Sequence, residues 1–368
     1  MTQRLRIEGR GPVAAALRLF LARQGFASAS IAHDAFAEPL PAAVAARPLA
    51  LSLGSTHLLS RIVALPEAAP IRTVDVSLAR GGGRTRFHAA DLDSPTLGCV
   101  IRYAALHQAL FEALQRIDTA TLPPSPFTLH PSPLVGKADE ILVRADGDPR
   151  SPSSRTLDFH QSALLAEVLV ARDAPGVAFE HFTQQGPLAL LPLPQPDRRA
   201  VVWCAAPQQS ERRAALSPHE FDAELLDVFG DALGTMRLVG KRHTVPLQRR
   251  LAQRDEDPRR VSIGNAAQAL HPVAGQGLNL GLRDAFELAQ ELGAAHAQGA
   301  PLEDALARFR RRRRADRAAT VVVTDTLARL FGWPALAPIQ SVAFDALDWV
   351  APLRDRFAKA LMFGLRSA

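Results

Sequence analysis

Residues 4–25 constrain the fold of this chain most. Arg4-Leu5-Arg6-Ile7 reads as a short, unusually polar strand, and Gly9-Arg10-Gly11-Pro12-Val13-Ala14 fits the pattern Gly-x-Gly-x-x-Gly/Ala. Val13 to Gln24 is an Ala- and Leu-rich helical run stopped by Gly25. A strand that turns through glycines into a helix opens a Rossmann-type βαβ unit, in which the backbone meets a pyrophosphate at the positive end of the helix. Gly9 and Gly11 are the turn positions, and Ala14 takes the third place, which must be small for close helix–strand packing. The next strand is expected over Ser28 to Ala32, followed by His33-Asp34. Asp34 lies 20 residues past Ala14, the spacing expected of an acid that meets a ribose hydroxyl. Glu8 stands where an apolar strand residue is normal. Near a pyrophosphate its charge is repulsive, so it must point away or pair, with Arg6 and Arg10 the nearest cations.

A second stretch, Val261 to Ala289, carries a related device. The apolar run Val261 to Ile263 meets Gly264-Asn265, an Ala-rich turn leads to His271-Pro272, and Gly275-Gln276-Gly277 opens a helical periodicity from Leu278 to Leu292. Two glycines before a helix let the backbone approach a ligand and present N–H groups at the positive end of the dipole. That suits a phosphate or the N1–C2=O edge of a reduced flavin. Taken alone, Gly-x-Gly is equally an ordinary strand–loop–helix turn.

Between these stretches the pattern changes. Ile71 to Ala90 alternates through Gly81 to Gly83 as a hairpin, and helix spacing follows Ser52 and runs from Leu106 to Leu114. Thr119 to Pro133 is a Pro-rich connector. Strands are expected at Glu140–Val143, Ser162–Val170, Ala178–Phe182, Leu188–Leu193 and Ala200–Ala205, with a helix over Ser217 to Asp231. No apolar run reaches the roughly 18 residues of a membrane span. The N-terminus lacks a signal-peptide core, and Cys99 and Cys204 lack metal-ligand spacing, so the expectation is a cytoplasmic chain without a metal. Net charge is +6, from 43 basic and 37 acidic residues, much of the excess in Arg308 to Arg317. That run reads as a solvated helix face, with anionic lipid or a partner as the sharper reading. No aromatic-interleaved basic motif points to nucleic acid.

In one block, Gly264-Asn265, His271-Pro272, Gly275-Gln276-Gly277-x-Asn279 and Arg283-Asp284 resemble the second FAD motif of the single-component flavin aromatic hydroxylases, and within them the ubiquinone-biosynthesis hydroxylases. That family has Gly-Asp where this chain has Gly264-Asn265, and Gly where it has Arg10; the Asn resembles the branch acting on a 2-polyprenyl-6-methoxyphenol. Asp146-Gly147, followed by Ser151, Ser154 and Arg155, resembles the family's Asp-Gly motif beside FAD and NAD(P)H. Asp158 to Gln161 and Phe179 to Leu193 resemble its substrate sheet, and Thr324 to Phe331 its C-terminal region.

The resemblance implies an α/β fold, with a Rossmann-type FAD-binding domain (1–70, 98–157 and 252–300) interrupted by an antiparallel β-sheet substrate domain (71–97 and 158–251) and followed by a C-terminal helical region (301–368). It implies FAD as cofactor, NADH or NADPH as co-substrate, and O2. A flavin C4a-hydroperoxide then hydroxylates the ring of a polyprenylated phenol. The implied FAD-binding residues are Gly9, Gly11, Ala14, Asp34, Arg47, Arg102, Asp146, Gly147, Gly264, Asn265, Pro272, Gly275, Gly277, Leu278 and Asn279. His271, Pro272 and Gln276 are the flavin-facing candidates, and no general base is identified. The implied partners are the polyprenyl phenol, a ubiquinone-biosynthesis complex, and peripheral contact with the inner face of the membrane; the amphipathic stretch Ala343 to Leu361 suits either a membrane surface or, the preferred reading, packing on the FAD domain. Two other readings stay open: a hydroxylase of a small soluble aromatic, and a non-catalytic FAD-fold scaffold.

Overall fold

The computed structural model describes residues 4–27, 31–34, 40–79, 83–121, 140–147, 155–251, 257–269, 276–314 and 359. The chain opens with β1 (Arg4–Glu8), α1 (Pro12–Arg23), β2 (Ile31–His33) and α2 (Ala42–Ala45). Then come β3 (Pro48–Ser52), α3 (Leu53–Ser60), β4 (Ala69–Ile71), β5 (Thr73–Leu78) and β6 (Arg84–His88). β7 (Gly98–Arg102), α4 (Tyr103–Thr121), β8 (Glu140–Arg144), β9 (Arg155–Val170) and β10 (Val177–Thr183) follow. β11 (Gly186–Pro192), β12 (Arg198–Ala205), α5 (Pro207–Ala215), α6 (Pro218–Phe229) and β13 (Met236–Leu251) complete the central part. β14 (Arg260–Ser262), β15 (Gln268–Ala269), α7 (Gln276–Gln298) and a helix over 302–314, here α8, close the described chain.

Among the described residues, three sheets divide the work. The first is wholly parallel, in the order β14-β8-β1-β2. Its strands alternate: Leu5, Ile7, Ile141, Val143 and Val261 share one face and are almost inaccessible in the core with α1, α4 and α7, whereas Arg6, Glu8 and Arg144 share the other and are half-buried. The second is a small antiparallel sheet, β3-β7-β4. It shows the two-residue period of a strand. Leu49, Leu51, Cys99 and Ile101 join the core of the parallel sheet, whereas Val100 joins a cluster with Ala178 and Ala200 of the third sheet. The third has eight strands, β15-β13-β9-β12-β11-β10-β5-β6, antiparallel except where β10 runs with β5. One of its faces is covered by α6, whose Phe221 and Leu225 pack on Trp203, Leu164 and Leu190.

Most expected elements are present with shifted ends. The strand expected at Ser28 is seen over Ile31–His33, and residues 28–30 lie outside the described residues, as do most of the Pro-rich connector and 315–358. The helix expected at Leu106 starts at Tyr103, directly on β7. β13 went unread for a physical reason. It carries Gly240, Pro246 and clustered charge, and its pairing with β9 shifts register at Val239/His243 and again at Leu247/Gln248, so no clean alternation survives in the sequence. The strand membership has three crossings of the expected boundaries: β4 reaches Ile71 in the small sheet, β9 of the eight-stranded sheet starts at Arg155 within 98–157, and β15 joins that sheet from within 252–300.

Candidate cofactor and substrate site

The turn between β1 and α1 is built as the sequence suggests, with each glycine playing a distinct part. Gly9 has φ +136°, and a Cβ there would lie 2.3 Å from the carbonyl oxygen of Ala145. β8 therefore crosses too close for any side chain. Gly11 caps α1 with no side-chain hydrogen bond, and a Cβ on it would meet nothing nearer than Tyr103 Oη at 3.9 Å. An uncapped helix start facing open space is the arrangement a diphosphate needs. Ala14 is buried in the helix–sheet contact. Asp34, just past β2, accepts a hydrogen bond from the Gly9 N–H at 3.0 Å, so the acid stands against the turn. Glu8 is neutralised: its carboxylate lies 3.6 Å from Arg6 and 4.0 Å from Arg144.

Arg47 and Tyr103 form the wall of this opening. The Tyr103 N–H donates to the Arg47 carbonyl at 2.9 Å. Arg47 keeps an accessible surface, yet surrounding protein lowers its pKa, the Tyr103 phenol opposing this; Tyr103 is raised by burial. Accessible area together with desolvation marks a concave surface. Arg102 is placed differently from expectation. Its Nη2 donates to Glu167 at 2.9 Å and Gln195 at 3.2 Å, tying β7 to the eight-stranded sheet. The residue at the glycine turn is its neighbour, Tyr103, the single tyrosine of the chain. Arg102 ends β7 and Tyr103 begins α4, so a one-residue offset in the motif exchanges the two positions. Asp146 is exposed, 3.2 Å from Arg144 Nη2, and Gly147 has φ +76° in open space.

The second glycine stretch is organised by buried polar contacts. Gly264 takes φ +57° in a 3-10 turn after β14, and its N–H donates to Asp284 Oδ2 at 3.0 Å. Asp284 Oδ1 in turn receives Arg313 Nε at 2.5 Å, both side chains being 3% exposed. Val13 of α1 fits against Gly264 and Gly281, drawing the starts of α1 and α7 together. Asn265 is exposed, and a Cβ on Gly277 would lie 3.5 Å from its Oδ1, so Asn265 borders the start of α7. Leu278 is half-buried against the main core. Asn279 holds structure with its side chain: Oδ1 accepts from the Ser52 N–H at 2.9 Å and Nδ2 donates to the Ala50 carbonyl at 3.0 Å. His271, Pro272 and Gly275 lie outside the described residues; Gln276 begins α7.

The described part of the basic run keeps a solvated face at Arg311, Arg312 and Arg314, which are exposed, and departs from it at Arg313. Arg308 and Arg312 bind Glu291 at 2.9 and 2.5 Å, Arg310 donates to the carbonyls of Asp257 and Arg260, and Arg313 is buried on Asp284. These arginines fasten α8 to α7 and β14. The sequence missed Tyr103, whose signal is its uniqueness, and Arg313, which is hidden among like residues.

With this geometry in view, the likeness to known proteins is specific. Residues 141–324, half the chain, match the FAD binding domain family. The chain is 32% identical to the ubiquinone hydroxylase UbiL of Rhodospirillum rubrum, across 98% of this chain and 89% of the relative. It is 30% identical to the 3-demethoxyubiquinol 3-hydroxylase of Escherichia coli, across 84% and 85%. Among solved structures, pqsL, a probable FAD-dependent monooxygenase from Pseudomonas aeruginosa, shares the fold with a TM-score of 0.71 at 17% identity, over 93% of this chain and 99% of the other. The chain belongs to the FAD-binding monooxygenases, in the group of the ubiquinone hydroxylases.

Proposed function

We propose that this chain uses NADH or NADPH, FAD and O2 to hydroxylate the aromatic ring of a polyprenylated phenol in ubiquinone biosynthesis. The observation that carries this reading is the open, uncapped glycine turn of α1. The opening at Gly11 accepts a group where a side chain is missing, and its donors are backbone N–H groups, as a diphosphate requires. Bound FAD supplies the reducing and oxygen-activating chemistry. The protein's part is to hold and shield. Gly11 and the first turn of α1 would receive the diphosphate and Asp34 the ribose, with Arg47 and Tyr103 as the outer wall. Gly264, Asn265 and Gly277 would receive the flavin end, with Asp284 and Arg313 fixing the Gly264 backbone from behind. The apolar face of the eight-stranded sheet excludes water from the ring to be oxidised.

A substrate with a long tail suggests a peripheral encounter with a membrane or with other enzymes of the same synthesis. Among the described residues no helix is long and apolar enough to cross a membrane. The test is turnover of a short-tailed 2-prenylphenol by FAD-loaded protein with NADH or NADPH. A product one oxygen atom heavier, labelled when heavy-isotope O2 is used, is expected. Reduced-nicotinamide oxidation that ignores the phenol and yields no such product would overturn the proposal.

A further inference from the structure

Paired residues of neighbouring strands lie on the same face of a sheet. Glu180 of β10 stands opposite Val76 of β5 and Ala189 of β11. Ala189 stands opposite Val202, Val202 opposite Leu165, and Leu165 opposite His243. These residues form one row across the sheet. The row lies on the face away from α6, since Phe179 and His181, on either side of Glu180, stack on Phe229 of that helix.

The row also has a fixed relation to the glycine turns. Ala178, two residues before Glu180 and on its face, belongs to the buried cluster that includes Leu53 and Val100. Leu53 follows Ser52, whose N–H is held by Asn279 in the first turn of α7. Glu180 is thus the next residue on that face beyond the contact between the two halves. Away from it the surface is small and apolar, with Ala189, Ala163 and Cys204 buried and Val202 and Leu165 half-buried. From Glu180 to His243 is four strand spacings of about 4.8 Å, roughly 19 Å, room for a ring and the start of an isoprenoid chain.

Glu180 stands apart from the other acid on this face. Glu167 is held by Arg102 at 2.9 Å and Arg198 at 2.5 Å, whereas the Glu180 carboxyl has no hydrogen bond or ion pair among the described residues. It keeps accessible surface while protein surrounds it, as a group lining a concavity does, and burial pushes its pKa up to about 7. Val76 and Ala189 flank it and Thr85 follows in the row; Cys204 of β12 is the titratable group that senses its charge, its thiol raised by burial first and by Glu180 second.

We propose that Glu180 is the proton-accepting residue for the phenolic substrate, its carboxylate taking the hydrogen bond of the ring hydroxyl while the strip from Ala189 to Leu165 takes the attached chain. The proposal rests on the hydroxylase reading above. As the ring reacts, its O–H bond breaks, the proton passes to a Glu180 oxygen, and the electron pair enters the ring. The neighbouring ring carbon bonds to one oxygen atom of O2; the other leaves as water, with electrons from NADH or NADPH. That carbon then loses its proton to solvent, the ring regains aromaticity, and Glu180 returns its proton to the ring oxygen.

Glu180→Gln and Glu180→Leu test this in the FAD-loaded protein with a short-tailed 2-prenylphenol. In the Gln variant, hydroxylated product per NAD(P)H should fall at least ten-fold, the difference appearing as hydrogen peroxide. The parent's rise in kcat/KM through pH about 7 should vanish. By calorimetry, the parent should bind the prenylphenol at least ten-fold tighter than the matching prenylbenzene, which lacks the hydroxyl, and the Leu variant should lose that preference. A Gln variant with parental coupling and pH profile would overturn the proposal, as would a parent that binds both compounds equally. A parent that prefers the phenol yet never hydroxylates it would sink the hydroxylase reading and, with it, the proton transfer, leaving Glu180 only as a binding group.

Discussion

The parallel sheet and the eight-stranded sheet prepare for their ligands with different parts of the chain. Around the parallel sheet, binding is a matter of backbone: glycines at positions 9, 11, 264 and 277, helix starts, and an acid against a turn. On the eight-stranded sheet it is a matter of side chains on one face, small apolar residues interrupted by Glu180. A backbone site leaves glycines at fixed spacing in the sequence. A side-chain site leaves only a residue type at one strand position, which any other constraint on a strand can mimic. The difference teaches where each half is fragile, and single substitutions can sharpen it.

The two glycines of the first turn should separate folding from binding. Gly9→Val places a side chain against the Ala145 backbone in a conformation with φ +136°. It should cost on the order of 4 kcal/mol or more and yield little soluble protein. Soluble Gly9→Val with a parental urea midpoint would show that β8 does not approach as described.

The next largest effect is expected at the buried pair behind Gly264. Arg313→Met leaves the Asp284 carboxylate buried without its 2.5 Å partner. Removing one member of such a pair costs roughly 3–5 kcal/mol. Urea unfolding should show the loss, and flavin release should quicken because Asp284 holds the Gly264 N–H. An unchanged midpoint would return Arg313 to the solvated face that its sequence suggests.

A smaller effect should follow from Asn279→Ala, which removes two hydrogen bonds joining α7 to Ser52 and Ala50. At about 1 kcal/mol for each, the variant should be destabilised by roughly 2 kcal/mol, with a weaker contact between α7 and β3. If only flavin affinity changed, the side chain would serve the cofactor rather than the chain.

Much of this was legible in the sequence, and the reasons differ by region. The turn at Gly9–Ala14 and the helix after Gly277 were readable because paired glycines before a helix leave a fixed spacing, and at Gly9 the backbone admits no side chain. Arg102 was assigned to the flavin because sequence gives spacing but not the residue at which β7 gives way to α4; one residue on, Tyr103 occupies the turn. Asn279 sits within a cofactor motif, and nothing in the motif distinguishes a side chain that meets the cofactor from one that braces the loop beside it. Arg313 could not be singled out from a run of five arginines, since burial depends on the phase of α8 against α7. Glu180 stood inside a recognised stretch of strand without a role, because its lack of a partner is a property of the assembled sheet.

The central claim is that the turn before α1 is a cradle for FAD, and Gly11→Val tests it most directly. A side chain there has room in the protein, the nearest atom to its Cβ being Tyr103 Oη at 3.9 Å, but it fills the space in front of the helix start. The variant should fold with a parental circular dichroism spectrum and urea midpoint, yet purify colourless and fail to take up added FAD in equilibrium dialysis. A Gly11→Val protein that is folded and binds FAD with full occupancy would contradict the account.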